Sequence, residues 1–236
     1  MRMFDTAMTR GLTALLPFVF CLWAVAQNTA GVPNSSQPDL PSVSFTLDFP
    51  RSVPDHYSFR VLSDGNATYE STAKLSEESD DEDSFQIDFV ISPPTRARIF
   101  DLAARSKYFE GGIDSNRKNI AATGKKILAY KDSQRNTEAT YNYSSIPAVQ
   151  DLTTLFQNMS TTLEFGRRLQ YDHLYQKLAL DEELKRMEEM AKSDNLAEMK
   201  AVRTILSKIV ADNSVINVVR ARAQRLLEMA DEPAKR

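Results

Sequence analysis

Two histidines, His56 and His173, and a scatter of carboxylates are the side chains with which this chain could move protons. His173 sits between Asp172 and Leu174 in a stretch of helical period, and Lys177 stands four positions on. The HExxH spacing that turns two imidazoles toward one zinc ion is therefore missing. His56 follows Pro54-Asp55 and has no partner at metal-ligand spacing. No Gly-x-Ser-x-Gly elbow occurs, and seven glycines in 236 residues leave no loop able to cradle a phosphate. The single cysteine is Cys21, so the chain beyond it can form neither a disulfide nor a thiolate metal site. The inventory assigns no catalytic residue, no cofactor and no metal.

Two weaker constellations remain. Asp88 with Glu110 or Asp114 could converge in a cleft, and two carboxylates in unlike environments suffice for hydrolytic acid/base work. Tyr57, Tyr69, Tyr141 and Tyr143 could line a sheet face and capture a small ligand, as in a sensor or inhibitor domain, although aromatic alternation usually marks core. The run Glu77 to Asp83, six carboxylates in seven positions, lacks the glycine a calcium loop needs and reads as a solvated connection. Asn34, Asn66, Asn142 and Asn158 each open an Asn-x-Ser/Thr triplet, which matters only where a glycosylation machinery exists.

The elements that must position these groups follow from hydrophobic period. Phe45, Leu47 and Phe49 alternate with polar residues, as do Tyr57, Phe59 and Val61, and a return strand runs from Ala67 toward Lys74. Asp64-Gly65 predicts a type I′ hairpin. Phe85, Ile87, Phe89 and Ile91 make a further strand. Ser92-Pro93-Pro94-Thr95 starts a helix, with the Ser92 hydroxyl as cap, that carries Ile99, Leu102, Ala103 and Tyr108 or Phe109 and stops at Gly111-Gly112. Lys125 to Lys131 and Thr137 to Tyr143 form a second hairpin, with Ile127 and Ala129 or Leu128 and Tyr130 turned to the core.

After Ile146-Pro147 the period is helical throughout. One stripe runs Val149, Leu152, Leu155 or Phe156, Met159 and Leu163, with Gly166 as a kink or stop. The next runs Leu174, Leu178, Leu184, Met187 and Ala191. Asn195 with Glu198 has capping-box spacing, and Val202 to Ile209 and Val215 to Ala230 close the set. Glu182, Glu183, Glu188 and Glu189 face one way on an earlier helix, and Arg220, Arg222 and Arg225 give the last helix a basic side. Helix pairs such as Glu182 to Arg186 and Glu188 to Lys192, or a contact between the two charged faces, would use them. The expected fold class is α+β, a small antiparallel sheet packed by helices over residues 45–165, followed by a C-terminal helical region over 166–232.

The start of the chain is a candidate address. Arg10 precedes an apolar run from Gly11 that closes on Ala24-Val25-Ala26, the pattern of a signal peptide cleaved between Ala26 and Gln27. The run is short for a spanning helix and holds Pro17, so no integral membrane segment is expected after cleavage. Residues 27–44, with Pro33, Pro38 and Pro41 among small polar residues, read as a disordered linker. A formal net charge of −3 supplies no reason to expect nucleic acid as a partner.

Several pieces in order carry a likeness: Tyr57-Ser58-Phe59-Arg60-Val61-Leu62-Ser63-Asp64-Gly65, Ile91-Ser92-Pro93-Pro94, Lys107-Tyr108-Phe109, and Ile146-Pro147-Ala148-Val149-Gln150-Asp151-Leu152. Over roughly residues 45–163 the chain resembles an uncharacterised domain family of exported bacterial proteins. The resemblance implies export to the periplasm or beyond and the α+β fold, and it implies no activity. Family members often carry a Cys-Pro pair before the first hairpin strand, where this chain has Pro54-Asp55-His56. The expectation is a secreted or periplasmic, non-enzymatic binding or structural protein of the bacterial cell envelope, with another envelope protein as partner. The alternatives are the carboxylate hydrolase and the small-ligand sensor or inhibitor.

Overall fold

Strand formation follows the alternation in the sequence. In the computed structural model, which describes residues 40–50, 52–73 and 83–231, six strands form one antiparallel sheet. They are β1 (Ser42–Asp48), β2 (His56–Leu62), β3 (Asn66–Ala73), β4 (Asp83–Val90), β5 (Lys125–Lys131) and β6 (Asn136–Tyr141), in the order β4-β3-β2-β1-β5-β6. The signal segment, most of the linker and the acidic run up to Glu82 lie outside the described residues. β1 begins at Ser42, ahead of the expected Phe45, because Val43 is already a buried sheet residue.

The β2–β3 connection is a hairpin, but not of type I′. Ser63, Asp64 and Gly65 make a three-residue loop in which only Gly65 has positive φ, at 102°, and the Asp64 carboxylate accepts the Asn66 N–H at 2.9 Å. The short polar side chain of Asp64 supplies a local hydrogen bond in place of the second left-handed residue.

One sheet face is apolar: Val43, Phe45, Tyr57, Phe59, Val61, Tyr69 and Leu128 are buried on it. Two helices cover that face, α1 (Pro93–Arg105) and the first half of α2 (Pro147–Tyr175). Phe156 of α2 stacks on Phe45 at 5.1 Å between centroids and meets Phe59 at 5.3 Å, so one α2 side chain joins two strands. Of the two faces open for β5, Leu128 and Tyr130 point inward, and Lys126 points inward with them.

The expected continuation of α1 through Tyr108 and Phe109 does not occur. The helix ends at Arg105, and Lys107, Tyr108 and Phe109 form a left-handed turn with φ of 52°, 53° and 67°. Each non-glycine residue there costs about 1–2 kcal/mol. Burial of Phe109 and the packing of Tyr108 on Tyr130, 4.5 Å between centroids with Arg135 over its ring, offset that cost.

Gly166 neither kinks nor ends α2, which runs unbroken from Pro147 to Tyr175. A Cβ at that position would lie 2.4 Å from Cγ1 of Val202, so the glycine is there to let a following turn approach the helix. Beyond it α2 joins a second apolar cluster with α3 (Leu180–Lys192), α4 (Arg203–Ala211) and α5 (Asn217–Asp231). Leu174 and Leu178, expected in the buried stripe, are 69% and 94% exposed. Leu174 lies in the solvent-facing last turn of α2, and the break after Tyr175 resets the phase, so that the buried face resumes only with Leu180, Leu184 and Met187.

Polar contacts tie the halves together. Glu198 is not part of a capping box with Asn195: at φ 57° it turns its carboxylate to the start of α1, accepting Ser92 N–H at 3.0 Å and the Ser92 hydroxyl at 2.6 Å. Ser92 thus occupies the cap position, and its hydroxyl donates to Glu198 rather than capping α1 itself. The charged faces of α3 and α5 meet within the chain. Glu188 takes a bidentate pair from Arg225 at 3.0 and 3.1 Å, and Lys192 stands at 3.0 Å. The Arg225 hydrogen bonds, set against partial burial, hold the Glu188 carboxyl down at about 2. Glu183, rather than Glu182, pairs with Arg186. Among the described residues no helix is long and apolar enough to cross a membrane.

Candidate functional site

A concave feature with largely apolar walls lies where β1, β5 and β6 meet at one end of the sheet. It is a groove of about 770 Å³ between Phe49-Pro50 after β1, the segment from Asp114 to Gly124, and Lys125, Thr140, Tyr141 and Asn142. Phe49, expected as a strand residue, has left β1, which stops at Asp48. Its N–H donates to Asp55 O at 2.7 Å and its half-exposed ring forms one wall.

Each wall is held by a polar group that is spent in holding it. Ile113 anchors the 111–124 segment in the core, and the next residue, Asp114, accepts the backbone N–H of Asn116 at 2.6 Å and of Asn142 at 2.7 Å. Those donors, Asn116 first, keep the Asp114 carboxyl below the usual aspartate value. The Asn142 amide then closes the far side, accepting Thr123 N–H at 2.9 Å and donating to Ala121 O at 3.2 Å.

Beneath lies Lys126, which is 4% exposed. Its ammonium donates to the carbonyls of Thr123 (2.9 Å), Gly124 (3.3 Å) and Asn142 (3.0 Å) and to the Thr123 hydroxyl (2.9 Å). Among the described residues no carboxylate lies within ion-pair distance of it, and burial draws its pKa below the usual lysine value. Gly124, at φ +89°, completes the floor: a Cβ there would fall 2.8 Å from the Phe49 Cβ and 2.9 Å from Asp48 O.

Asp48 forms the rim, and the register sets it beside Lys125 on one side and His56 on the other. His56 Nδ1 and Asp48 Oδ1 are 2.5 Å apart, each side chain nearly half exposed. A carboxylate on Nδ1 is how a general-base imidazole is oriented. Thr72 is the cross-strand neighbour of His56, yet among the described residues no side chain hydrogen-bonds to Nε2.

The carboxylates expected to pair do not meet. Asp88 is on β4, where it accepts the Thr68 hydroxyl at 2.7 Å, while Asp114 is fastened to the end of β6. Five strand spacings separate those edges, roughly 24 Å, against the ~5–10 Å that glycosidase-type hydrolysis requires. Glu110 is exposed just after the left-handed turn that packs on β5 and β6, so it too is remote from Asp88.

Nor do the tyrosines line an open face. Tyr57, Tyr69 and Tyr141 are buried beneath α2, and only Tyr143 is exposed. Tyr69 donates to Glu164 at 2.8 Å, Ser71 donates to the same oxygen at 2.6 Å, and Ser160 lies 2.9 Å from the Tyr69 hydroxyl. Burial first, and then the Glu164 charge, raises the Tyr69 pKa far above the tyrosine norm, so the hydroxyl stays a donor. His173 likewise has a bracing role, 2.9 Å from Asp212, which also accepts Lys177 at 2.7 Å.

Sequence reasoning missed Lys126, Gly124 and Asn142. The first left a trace, since Lys126 shares the parity of Leu128 and Tyr130 and must be buried if they are. The others become significant only once β1, β5 and β6 are adjacent. Compared with protein-family models and with curated proteins, the chain matches none of them.

Proposed function

We propose that this is an exported, non-enzymatic binding protein of the bacterial cell envelope, periplasmic or secreted, which seats a segment of an envelope partner in the groove at the β1/β5/β6 end of the sheet. The observation that carries the reading is that the groove's polar groups are engaged in building its walls. Asp114 and Asn142 are hydrogen-bonded within the walls and Lys126 is hydrogen-bonded beneath them, leaving an apolar lining of Phe49, Pro50 and Ala122 with a charged rim of Asp48 and Lys125. An apolar trough with a few oriented polar groups is built for recognition. The leader ending at Ala26 and the order of motifs over residues 45–163 support the export.

The test is photo-cross-linking in the native host, from a benzoylphenylalanine at Thr140 on the rim and, as control, at Thr161 on the exposed side of α2. A discrete adduct from position 140 that is absent from position 161 is expected. Equal labelling from both positions would remove the groove as the binding site. The hydrolase reading draws on the Asp48–His56 pair, and turnover of an envelope substrate that is lost in His56→Ala would favour it instead.

A further inference from the structure

The two edges of the sheet are not alike. At the two ends of β6 the neighbouring segment closes in: near its start Tyr108 O accepts the Thr137 hydroxyl at 2.5 Å, and just past its end Asp114 takes the Asn142 N–H and Ser115 N–H donates to Tyr143 O at 2.8 Å. Along β4 nothing comparable happens. Its eight residues pair with β3 without a break from Asp83 to Val90, and among the described residues no segment hydrogen-bonds to its outer side.

An antiparallel edge of that length presents the N–H and C=O of about four residues outward. Edge strands are ordinarily blunted by lysine, proline or a bulge, and β4 has none of the three. Its inward side chains, Phe85, Ile87 and Phe89, are only partly buried. The apolar row of the sheet therefore continues past the helices that cover it.

The charge at this edge has one sign. β3 and β4 contain Glu70, Asp83 and Asp88 and not one lysine or arginine, and Glu70 and Asp88 lie exposed on the outer face. Arg60 is two strands in, and Arg167 lies on the inner face, 5.4 Å from the Phe85 ring. Pairing β4 with a second copy of itself would set the acidic outer faces carrying Glu70 and Asp88 of both copies side by side, which like-charge repulsion opposes.

We propose that the β4 edge adds a seventh strand: an extended cationic polypeptide segment from a partner protein, apolar at alternate positions to cover Phe85, Ile87 and Phe89, and bearing lysine or arginine on the outer face beside Asp88, within reach of Glu70 one strand further in. This is β-augmentation, with main-chain hydrogen bonds giving affinity and the alternate side chains giving selection. The site stands at the opposite edge from the groove, so each can fail without the other.

The probe is a fluorescent octapeptide alternating valine and lysine, titrated by anisotropy into the full chain, beside an alternating valine-glutamate peptide and a valine-lysine peptide N-methylated on alternate amides. The unmodified lysine peptide should bind at least ~10-fold more tightly than either comparison peptide, and Asp88→Lys should weaken it ~10-fold. Amide exchange over Phe85 to Val90 should slow on binding. Equal affinity of the N-methylated peptide, no saturable binding, or unchanged exchange over β4 would overturn the proposal. So would a dimer of the protein alone that Val90→Lys dissolves, since the edge would then belong to a second copy.

Discussion

Replacing Asp114 by asparagine removes a charge from the groove wall without changing its shape, and the structure sets what should follow. The carboxylate accepts two backbone N–H groups, from Asn116 at 2.6 Å and Asn142 at 2.7 Å. Hydrogen bonds to a charged acceptor contribute about 1.5–3 kcal/mol each when protected, and partial exposure here reduces that to about 1 kcal/mol each. An asparagine amide keeps one acceptor oxygen and no charge, so Asp114→Asn should cost about 1–1.5 kcal/mol at pH 7. The folded-state carboxyl lies below its ordinary value of 3.8. Its contribution is therefore present above that value and disappears as pH falls through the lower folded one. Urea unfolding followed by circular dichroism, on both proteins at pH 7, 5 and about 3, should give a constant gap at the two higher values and a narrowing one at the lowest. Equal stability at pH 7, or a gap unaltered in acid, would refute the assignment of Asp114 as the clasp between the 113–116 segment and β6.

Three further outcomes test other joints. Gly166→Ala gains helix propensity of ~1 kcal/mol but drives a Cβ into the stiff Val202 side chain, so thermal unfolding should show a net loss of about 1–2 kcal/mol that Val202→Ala relieves. Glu198→Ala should cost about 2 kcal/mol by stripping the start of α1 of its acceptor, whereas Glu198→Gly should cost about 1 kcal/mol less because glycine is at ease at φ 57°. Wild-type stability should fall as pH drops from about 4.5 toward 2 in part through Glu188, whose folded carboxyl is held at about 2 by Arg225. In Glu188→Gln that portion of the acid dependence should be missing from the denaturation profiles.

The sheet was legible because its period is two on both halves of each hairpin, and every strand expected between Phe45 and Tyr143 is present with ends shifted by a few residues. What alternation cannot carry is the reason a residue departs from it. Phe109 belongs to the core by composition, yet reaches it through a left-handed turn that only the ring of Tyr130 and the edge of β6 make tolerable. Gly166 looked like a helix breaker because propensity is local, while its purpose, room for Val202, is a contact 36 positions away. Glu198 had the spacing of a local cap and serves instead a helix that begins 105 residues earlier. The groove was illegible for the same reason. Lys126 is the one member whose parity along β5 betrays it, whereas Gly124, Asn142 and Phe49 become a site only through the pairing of β1 with β5 and β5 with β6.

The central claim is that the groove holds a partner and does not transform it. The measurement that addresses it most directly is to incubate the purified protein with the envelope fraction of its native host and follow by mass spectrometry both what is retained and what is altered. Retention of a discrete component in unchanged form, reduced when Thr140→Trp fills the groove, is the predicted result. Appearance of a cleaved or hydrolysed product with wild-type protein, and its absence with His56→Ala or Asp48→Asn, would contradict it.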